Sequence, residues 1–166
     1  MTKKNPIIVF SEIDQKDFIE ITQWPQYRGV HAQMDYAIRT NGWLDYYCNN
    51  FGNYCYAAKI RGLCVGFSLL IQKGGLEAEF RIAVHPNFVG FRYGSKIMKQ
   101  SLRNGFSEHK LRTITLIVRK NILIAQRLYT KHGFSLCGET TETIQGHSID
   151  FFVMKIYREN FIKGEM

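Results

Sequence analysis

The stretch Ala83-Val84-His85-Pro86-Asn87-Phe88-Val89-Gly90-Phe91-Arg92-Tyr93-Gly94-Ser95-Lys96-Ile97-Met98 decides how the chain is read. It begins as a strand and stops at His85-Pro86, because proline has no N–H to give to a ladder. A loop with two glycines follows. From Tyr93 the apolar residues Ile97, Met98, Leu102 and Phe106 recur at helical spacing, which predicts a helix over Tyr93–Phe106. The first amides of such a helix have no partner within it, and the helix dipole adds partial positive charge there. A glycine loop running into a helix start therefore suits an anion such as a diphosphate. Gly90 and Gly94 let the main chain come close to it. A plain strand-to-helix turn would carry the same glycines, so this stretch alone leaves both readings open.

Before this stretch, Tyr54–Ile60 and Leu63–Ile71 read as a hairpin around Arg61-Gly62, and Lys73-Gly74-Gly75 turns into a third strand, Leu76–Val84. Nearer the N-terminus, Ile7–Phe10 reads as a short strand, and Ser11 with Asp14 forms a capping pattern for a helix from Asp14 to Thr22. Trp24-Pro25 ends that helix. His31–Cys48 predicts one or two helices broken at Asn41-Gly42. After the quoted stretch, Leu111–Val118 alternates as a strand, Ile122–His132 reads as a helix closed by Gly133, and Phe134–Thr141 and His147–Tyr157 read as two strands. The strand–helix–strand unit in the middle demands a parallel pair. The fold class is α/β (α+β): a mixed, mostly antiparallel sheet of about six or seven strands with about four helices, in one domain over residues 1–166.

A second stretch, Val118-Arg119-Lys120-Asn121-Ile122-Leu123-Ile124-Ala125-Gln126-Arg127-Leu128-Tyr129-Thr130-Lys131-His132-Gly133-Phe134, joins the first. With the strand ending in Val84-His85-Pro86, the glycine loop and the two closing strands, it resembles the GNAT superfamily of N-acyltransferases over Tyr54–Tyr157. The resemblance implies direct transfer of an acetyl group from acetyl-CoA to a primary amine, with no covalent enzyme intermediate. It implies that the central parallel strands, Leu76–Val84 and Leu111–Val118, splay to admit the acyl-CoA. It assigns the diphosphate to the amides of Val89, Gly90, Phe91, Arg92, Tyr93, Gly94 and Ser95. The acyl carbonyl falls to the main chain near Val84, and Asn121 is a further cofactor contact. Tyr129 takes the place of the tyrosine that protonates the departing thiolate. A phenol, with an ordinary pKa near 10, is protonated at neutral pH. The chain departs from the pattern at Val89, where a polar residue is usual, at Arg92, where glycine is usual, and at Ile122, where asparagine is frequent.

An attacking amine must first lose a proton, and a carboxylate is the usual acceptor. Glu79, on one strand face with Glu77 and Arg81, is the first candidate; Asp150 and Glu142 come after it. A pair of solvent-facing glutamates with Arg81 as salt partner is the competing reading. Trp24, Tyr27, Tyr36, Trp43, Tyr46 and Tyr47 lie where the family builds its acceptor pocket, and core packing is the commoner reason for such aromatics.

The five histidines have no metal spacing, and the four cysteines (Cys48, Cys55, Cys64, Cys137) form no C-x-x-C. Free, mostly buried thiols in a cytoplasmic protein without a metal are expected. Met1–Phe10 is too short for a signal segment, and nothing approaches the roughly 20 apolar residues of a membrane span. The formal net charge of +8 favours anionic partners, either a nucleotide cofactor or nucleic acid. Two other readings are thus a degenerate acyl-CoA-binding or interaction domain and a transferase directed at tRNA or the ribosome. A monomer or a homodimer fits equally.

Overall fold

The computed structural model describes residues 6–49 and 52–165; the basic Lys3-Lys4 pair lies outside them. Seven strands form one sheet: β1 (Val9–Glu12), β2 (Tyr54–Ile60), β3 (Leu63–Gly74), β4 (Glu77–Val84), β5 (Thr113–Arg119), β6 (Ser135–Ile144) and β7 (His147–Tyr157). Their order is β1-β2-β3-β4-β5-β7-β6. The α-helices are α1 (Gln15–Thr22), α2 (Trp43–Cys48), α3 (Tyr93–Arg103), α4 (Leu123–Lys131) and α5 (Arg158–Glu165). β4 and β5 run parallel, while β1–β2, β2–β3, β5–β7 and β6–β7 are antiparallel. This is the mixed sheet with a central parallel pair that the strand–helix–strand unit demanded.

Several boundaries move, each for a physical reason. Ser11 does not cap α1: it pairs with Ala57 in the β1–β2 ladder, and Asp14 caps instead. Asp14 accepts from the Asp17 amide at 2.8 Å, and Asp17 accepts from the Asp14 amide at 3.0 Å. β3 runs on through Gly74, so its turn falls at Gly75-Leu76. The helix predicted to Phe106 is α-helical only to Arg103 and closes with a wider π turn, Asn104–Glu108. The segment before α2 is a 3₁₀ helix, Gly29–Ile38. α5 was not foreseen.

The chain divides into two compact units, one running through Ile71 and including Arg81–Ser101, the other made of Gln72–Phe80 with the chain from Leu102 onward. In the first, Ile21, Trp24, Tyr27, Ile38, Leu44, Phe67, Leu69 and Ala83 form the main core cluster. A smaller cluster of Ala58, Val65 and Ile97 carries Ile82, Val84, Phe88 and Tyr93 at its margin. Gly66 is required there, because a Cβ would stand 2.5 Å from Ile97 Cδ1. In the second unit, Ile114, Leu116 and Val118 alternate as the buried face of β5, and Phe134, Met154 and Ile156 are buried with them.

The thiols depart from expectation. Only Cys64 is buried, Cys48 and Cys55 are half-buried, and Cys137 lies exposed on the edge strand β6. The Cys48 thiol hydrogen-bonds to Cys55, which raises the pKa of Cys48 and lowers that of Cys55.

Candidate active site

The loop between β4 and α3 belongs wholly to the first unit. His85 fixes its start. The His85 amide donates to the Val65 carbonyl at 2.8 Å, and its own carbonyl accepts from the Phe88 amide at 2.8 Å. Its Nδ1 accepts from the Asn87 amide at 3.0 Å. The ring is buried between Trp24 and Phe88, 5.0 Å from each centroid. Burial lowers its pKa, and the accepted hydrogen bond requires an unprotonated Nδ1. His85 therefore locks a one-turn 3₁₀ helix, Pro86–Phe88.

Phe88 and Tyr93 anchor the two ends of the following loop against the Ile97 cluster. Gly90 has φ +92°, and Arg92 has φ +65°. The left-handed conformation that glycine takes freely is thus imposed on an arginine, at a cost of roughly 1–2 kcal/mol. Phe91 stacks on Tyr93 at 6.0 Å and 15°, and the residue is 61% exposed. A Cβ at Gly90 would meet open space, and one at Gly94 would touch Val84 Cγ2 at 3.5 Å. The first-turn amides of a helix have no acceptor within its own ladder, and exposed Gly90, Phe91 and Arg92 lead into that turn of α3. Between Arg81 and Ser101 the sequence has Arg81, Arg92, Lys96 and Lys99 and no carboxylate. An open surface above Gly90 and a cationic, acid-free segment fit the polyphosphate of an acyl-CoA.

Val84 ends β4 in an informative orientation. His85 bonds toward β3, so strand alternation turns the main-chain groups of Ile82 and Val84 the other way. In the second unit, the matching carbonyls of Leu76 and Ala78 accept from Thr113 N and Thr115 Oγ1. Between β4 and β5 the register pairs Glu77 with Thr113, Ala78 with Ile114 and Glu79 with Thr115. Tyr27, from the loop after α1, donates its hydroxyl to the Val84 carbonyl at 2.5 Å.

Sequence reasoning gave Tyr27 only as one of several aromatics, because the contact spans 57 positions. Tyr27 is itself stapled. Asp35 accepts from the Tyr27 amide at 3.1 Å and from Arg39 at 2.9 Å, while Arg39 donates to the Trp24 carbonyl at 3.2 Å. The ring is buried, and desolvation, aided by Asp35, raises its pKa above that of an ordinary phenol.

In the second unit, Glu79 is buried and pairs with Lys73 Nζ at 3.2 Å, which removes the solvent-facing reading. Glu77 is partly exposed. Tyr129 lies on α4 with its ring edge-on to Phe134 at 6.1 Å. Desolvation pushes its pKa up to about 12, so it is a protonated phenol across the working range. Asn121 is exposed, and Ile122 stands at the α4 N-cap, where it makes no side-chain capping bond. Gln126 fastens the approach instead, donating to the carbonyls of Arg119 at 3.1 Å and Lys120 at 2.9 Å. The second-choice carboxylates, Glu142 and Asp150, are a register apart on the β6–β7 hairpin, and Asp150 accepts from Thr141 Oγ1 at 2.9 Å.

Among the aromatics of the first unit, Trp24 and Tyr27 are core, and Trp43 and Tyr47 pack, partly buried, against the main core cluster. Trp43 and Tyr47 also receive the Arg81 guanidinium, 5.0 Å from each ring centroid. Among the described residues, no group of three or more His, Cys, Asp or Glu side chains is placed to hold a metal ion. Nor is any described helix long and apolar enough to cross a membrane.

Residues 16–134 match the sequence profile described as the acetyltransferase (GNAT) family. No curated protein sequence matches the chain. Among solved structures, mutant forms of the spermidine/spermine N-acetyltransferase SpeG from Vibrio cholerae superpose with a TM-score of 0.76 at 17% identity, covering 96% of this chain and 100% of that one. Another mutant of the same enzyme gives 0.77 at 17% identity over 96% and 98%. A GNAT-family acetyltransferase from Streptococcus pneumoniae gives 0.69 at 19% identity over 91% and 99%.

Proposed function

The chain belongs to the acetyltransferase (GNAT) family, and from that premise we propose how its residues divide the work of acetyl transfer. It is an acyl-CoA-dependent N-acetyltransferase, and its acceptor is an amine. Acetyl-CoA supplies an already activated thioester, so no enzyme nucleophile is needed.

The amides of Val89, Gly90, Phe91, Arg92, Tyr93, Gly94 and Ser95 hold the diphosphate, with the Arg92 charge added to them. What supports this is the acid-free segment Arg81–Ser101 and the two left-handed residues that shape its loop. The Val84 N–H, turned away from β3, polarises the acyl carbonyl and stabilises the charge that grows on it. Glu79 takes the proton from the acceptor ammonium, and its buried carboxylate is kept in place by Lys73. Tyr129 gives its phenolic proton to the departing sulfur, and Asn121 adds a polar contact to the cofactor. The acceptor is a small-molecule amine, the kind of substrate named for the Vibrio cholerae enzyme. The free thiols suit a reducing, cytoplasmic setting.

The single observation that carries the reading is the loop from β4 into α3, where Gly90 and Arg92 take left-handed backbone within a segment, Arg81–Ser101, that has no carboxylate. The test is amine-dependent release of CoA thiol from acetyl-CoA. Steady release that rises with added amine supports transfer; release at the same rate with and without amine contradicts it.

A further inference from the structure

Between α1 and the 3₁₀ helix Gly29–Ile38, residues 23–28 belong to no helix or strand. Gln23 and Trp24 still donate to the last turn of α1, to the carbonyls of Glu20 and Ile21 at 3.1 Å each. Pro25 then has no N–H to give. Side chains of the following element take over. The Tyr27 amide donates to Asp35 Oδ1 at 3.1 Å. Arg39 Nη1 donates to the carbonyls of Thr22 at 3.1 Å and Trp24 at 3.2 Å, and Nη2 donates to that of Trp24 at 3.2 Å. Its Nε and Nη2 hold the two Asp35 oxygens at 3.1 Å and 2.9 Å. One planar guanidinium thus ties the end of α1, the irregular segment and the 3₁₀ helix together, with all three of its nitrogens engaged. An ammonium, a single nitrogen, cannot make these contacts at once.

What the segment delivers is Tyr27. Its ring belongs to the main core cluster, and its hydroxyl donates to the Val84 carbonyl at 2.5 Å. That carbonyl shares a peptide plane with the His85 amide, which donates to Val65 at 2.8 Å. The plane is therefore held on both sides, by β3 through its N–H and by Tyr27 through its C=O. A phenol fixes a carbonyl only as firmly as its own backbone is fixed, and the Tyr27 backbone is fixed by Asp35 and Arg39.

We propose that Arg39 is a positioning residue for acetyl transfer: through Asp35 and the segment it ties down, it sets Tyr27 against the Val84 main chain. That role rests on the reading above that the Val84 N–H meets the thioester oxygen.

The test is a double-mutant cycle of Arg39→Lys and Tyr27→Phe in the full-length protein. CoA release from acetyl-CoA is followed with spermidine and with ethanolamine, and acetyl-CoA affinity is followed by calorimetry. The Val84 carbonyl is followed by NMR, with carbon-13 in valine carbonyls and nitrogen-15 in histidine amides. The chain has two Val–His links, Val30-His31 and Val84-His85, and the signal moved by Tyr27→Phe belongs to Val84. Arg39→Lys should lower kcat by no more than Tyr27→Phe does, about tenfold, with acetyl-CoA affinity changed by about threefold or less. Added to Tyr27→Phe, it should cost about twofold or less, because the link it acts through is already cut. The Val84 signal should move in Arg39→Lys in the same direction as in Tyr27→Phe. Lys59→Gln, which breaks the ion pair with Asp17 at the other end of α1, controls for lost stability and should leave kcat unchanged. Where Arg39→Lys does not fold, Asp35→Asn takes its place in the cycle, since it keeps an acceptor for the Tyr27 amide and loses the ion pair. An unmoved Val84 signal, equal losses of kcat in both backgrounds, or a raised amine KM at unaltered kcat overturns the proposal. An equal loss of kcat in Lys59→Gln does the same. Absence of acetyl-CoA binding by the wild type would remove the acetyltransferase reading itself, while the Val84 signal still decides whether Arg39 sets that carbonyl.

Discussion

Tyr27→Phe removes one oxygen atom and nothing else. That oxygen stands 2.5 Å from the Val84 carbonyl, while the ring stays packed with Trp24 and Ala83. No cavity opens, so the stability loss is that of a neutral hydrogen bond, about 0.5–1.5 kcal/mol. For a domain of this size that corresponds to a fall in Tm of roughly 1–6 °C. The catalytic consequence is separate. The Tyr27 contact fixes the carbonyl of the residue whose N–H is proposed to meet the thioester oxygen. Losing an oxyanion donor outright costs about 10²–10³ in kcat; loosening it should cost about tenfold. The loop amides are untouched, so acetyl-CoA affinity should change by about threefold or less. The assay is kcat by CoA release, Kd by calorimetry and Tm by thermal melt on the same preparation. A lowered Tm with unchanged kcat would show that Tyr27 only packs, and a fall in affinity matching the fall in kcat would show that it acts on binding.

Other expectations follow from the same geometry. Tyr129→Phe should lower kcat by about 10²-fold, the low end for a positioned general acid, with acetyl-CoA binding nearly unchanged; unaltered turnover removes the acid role. Because the Tyr129 phenol is pushed up to about 12, wild-type activity should show no basic limb from this group until well above the ordinary phenol range. His85 is held neutral, with a pKa below its usual 6.5. Its contribution to stability is therefore complete above pH 6.5 and is lost as the pH falls from there through the lowered folded value. Tm should decline on acidification below pH 6.5 and decline less in His85→Gln; equal acid slopes in the two proteins would clear His85 of that role.

Much of this was legible because it is local. The alternation Ile114-Leu116-Val118, the turn at Arg61-Gly62 and the Pro86 break each fix an element from a few neighbouring residues, and the glycine loop followed from two of them. Arg92 was readable as a departure, and its φ of +65° shows that the loop takes there the left-handed backbone that glycine favours. What stayed hidden is non-local or competitive. Ser11 and Asp14 each have a carboxylate three residues on, and only the pairing of Ser11 with Ala57 decides between them. Lys73 as the partner of Glu79 depends on hairpin geometry rather than on pattern. The bond from Tyr27 to Val84, like the seating of Arg81 on Trp43 and Tyr47, joins segments far apart in the chain, where periodicity carries no signal.

The seat of the cofactor can be tested directly by titrating acetyl-CoA into the wild type and Gly94→Val in a calorimeter. A branched side chain at Gly94 extends past a Cβ that already touches Val84 Cγ2 at 3.5 Å, at the first turn of α3. The wild type should give saturable heat and the folded variant should give none. Equal affinity in both would place the diphosphate away from residues 89–95, and no heat from the wild type at millimolar acetyl-CoA would contradict the acetyltransferase account itself.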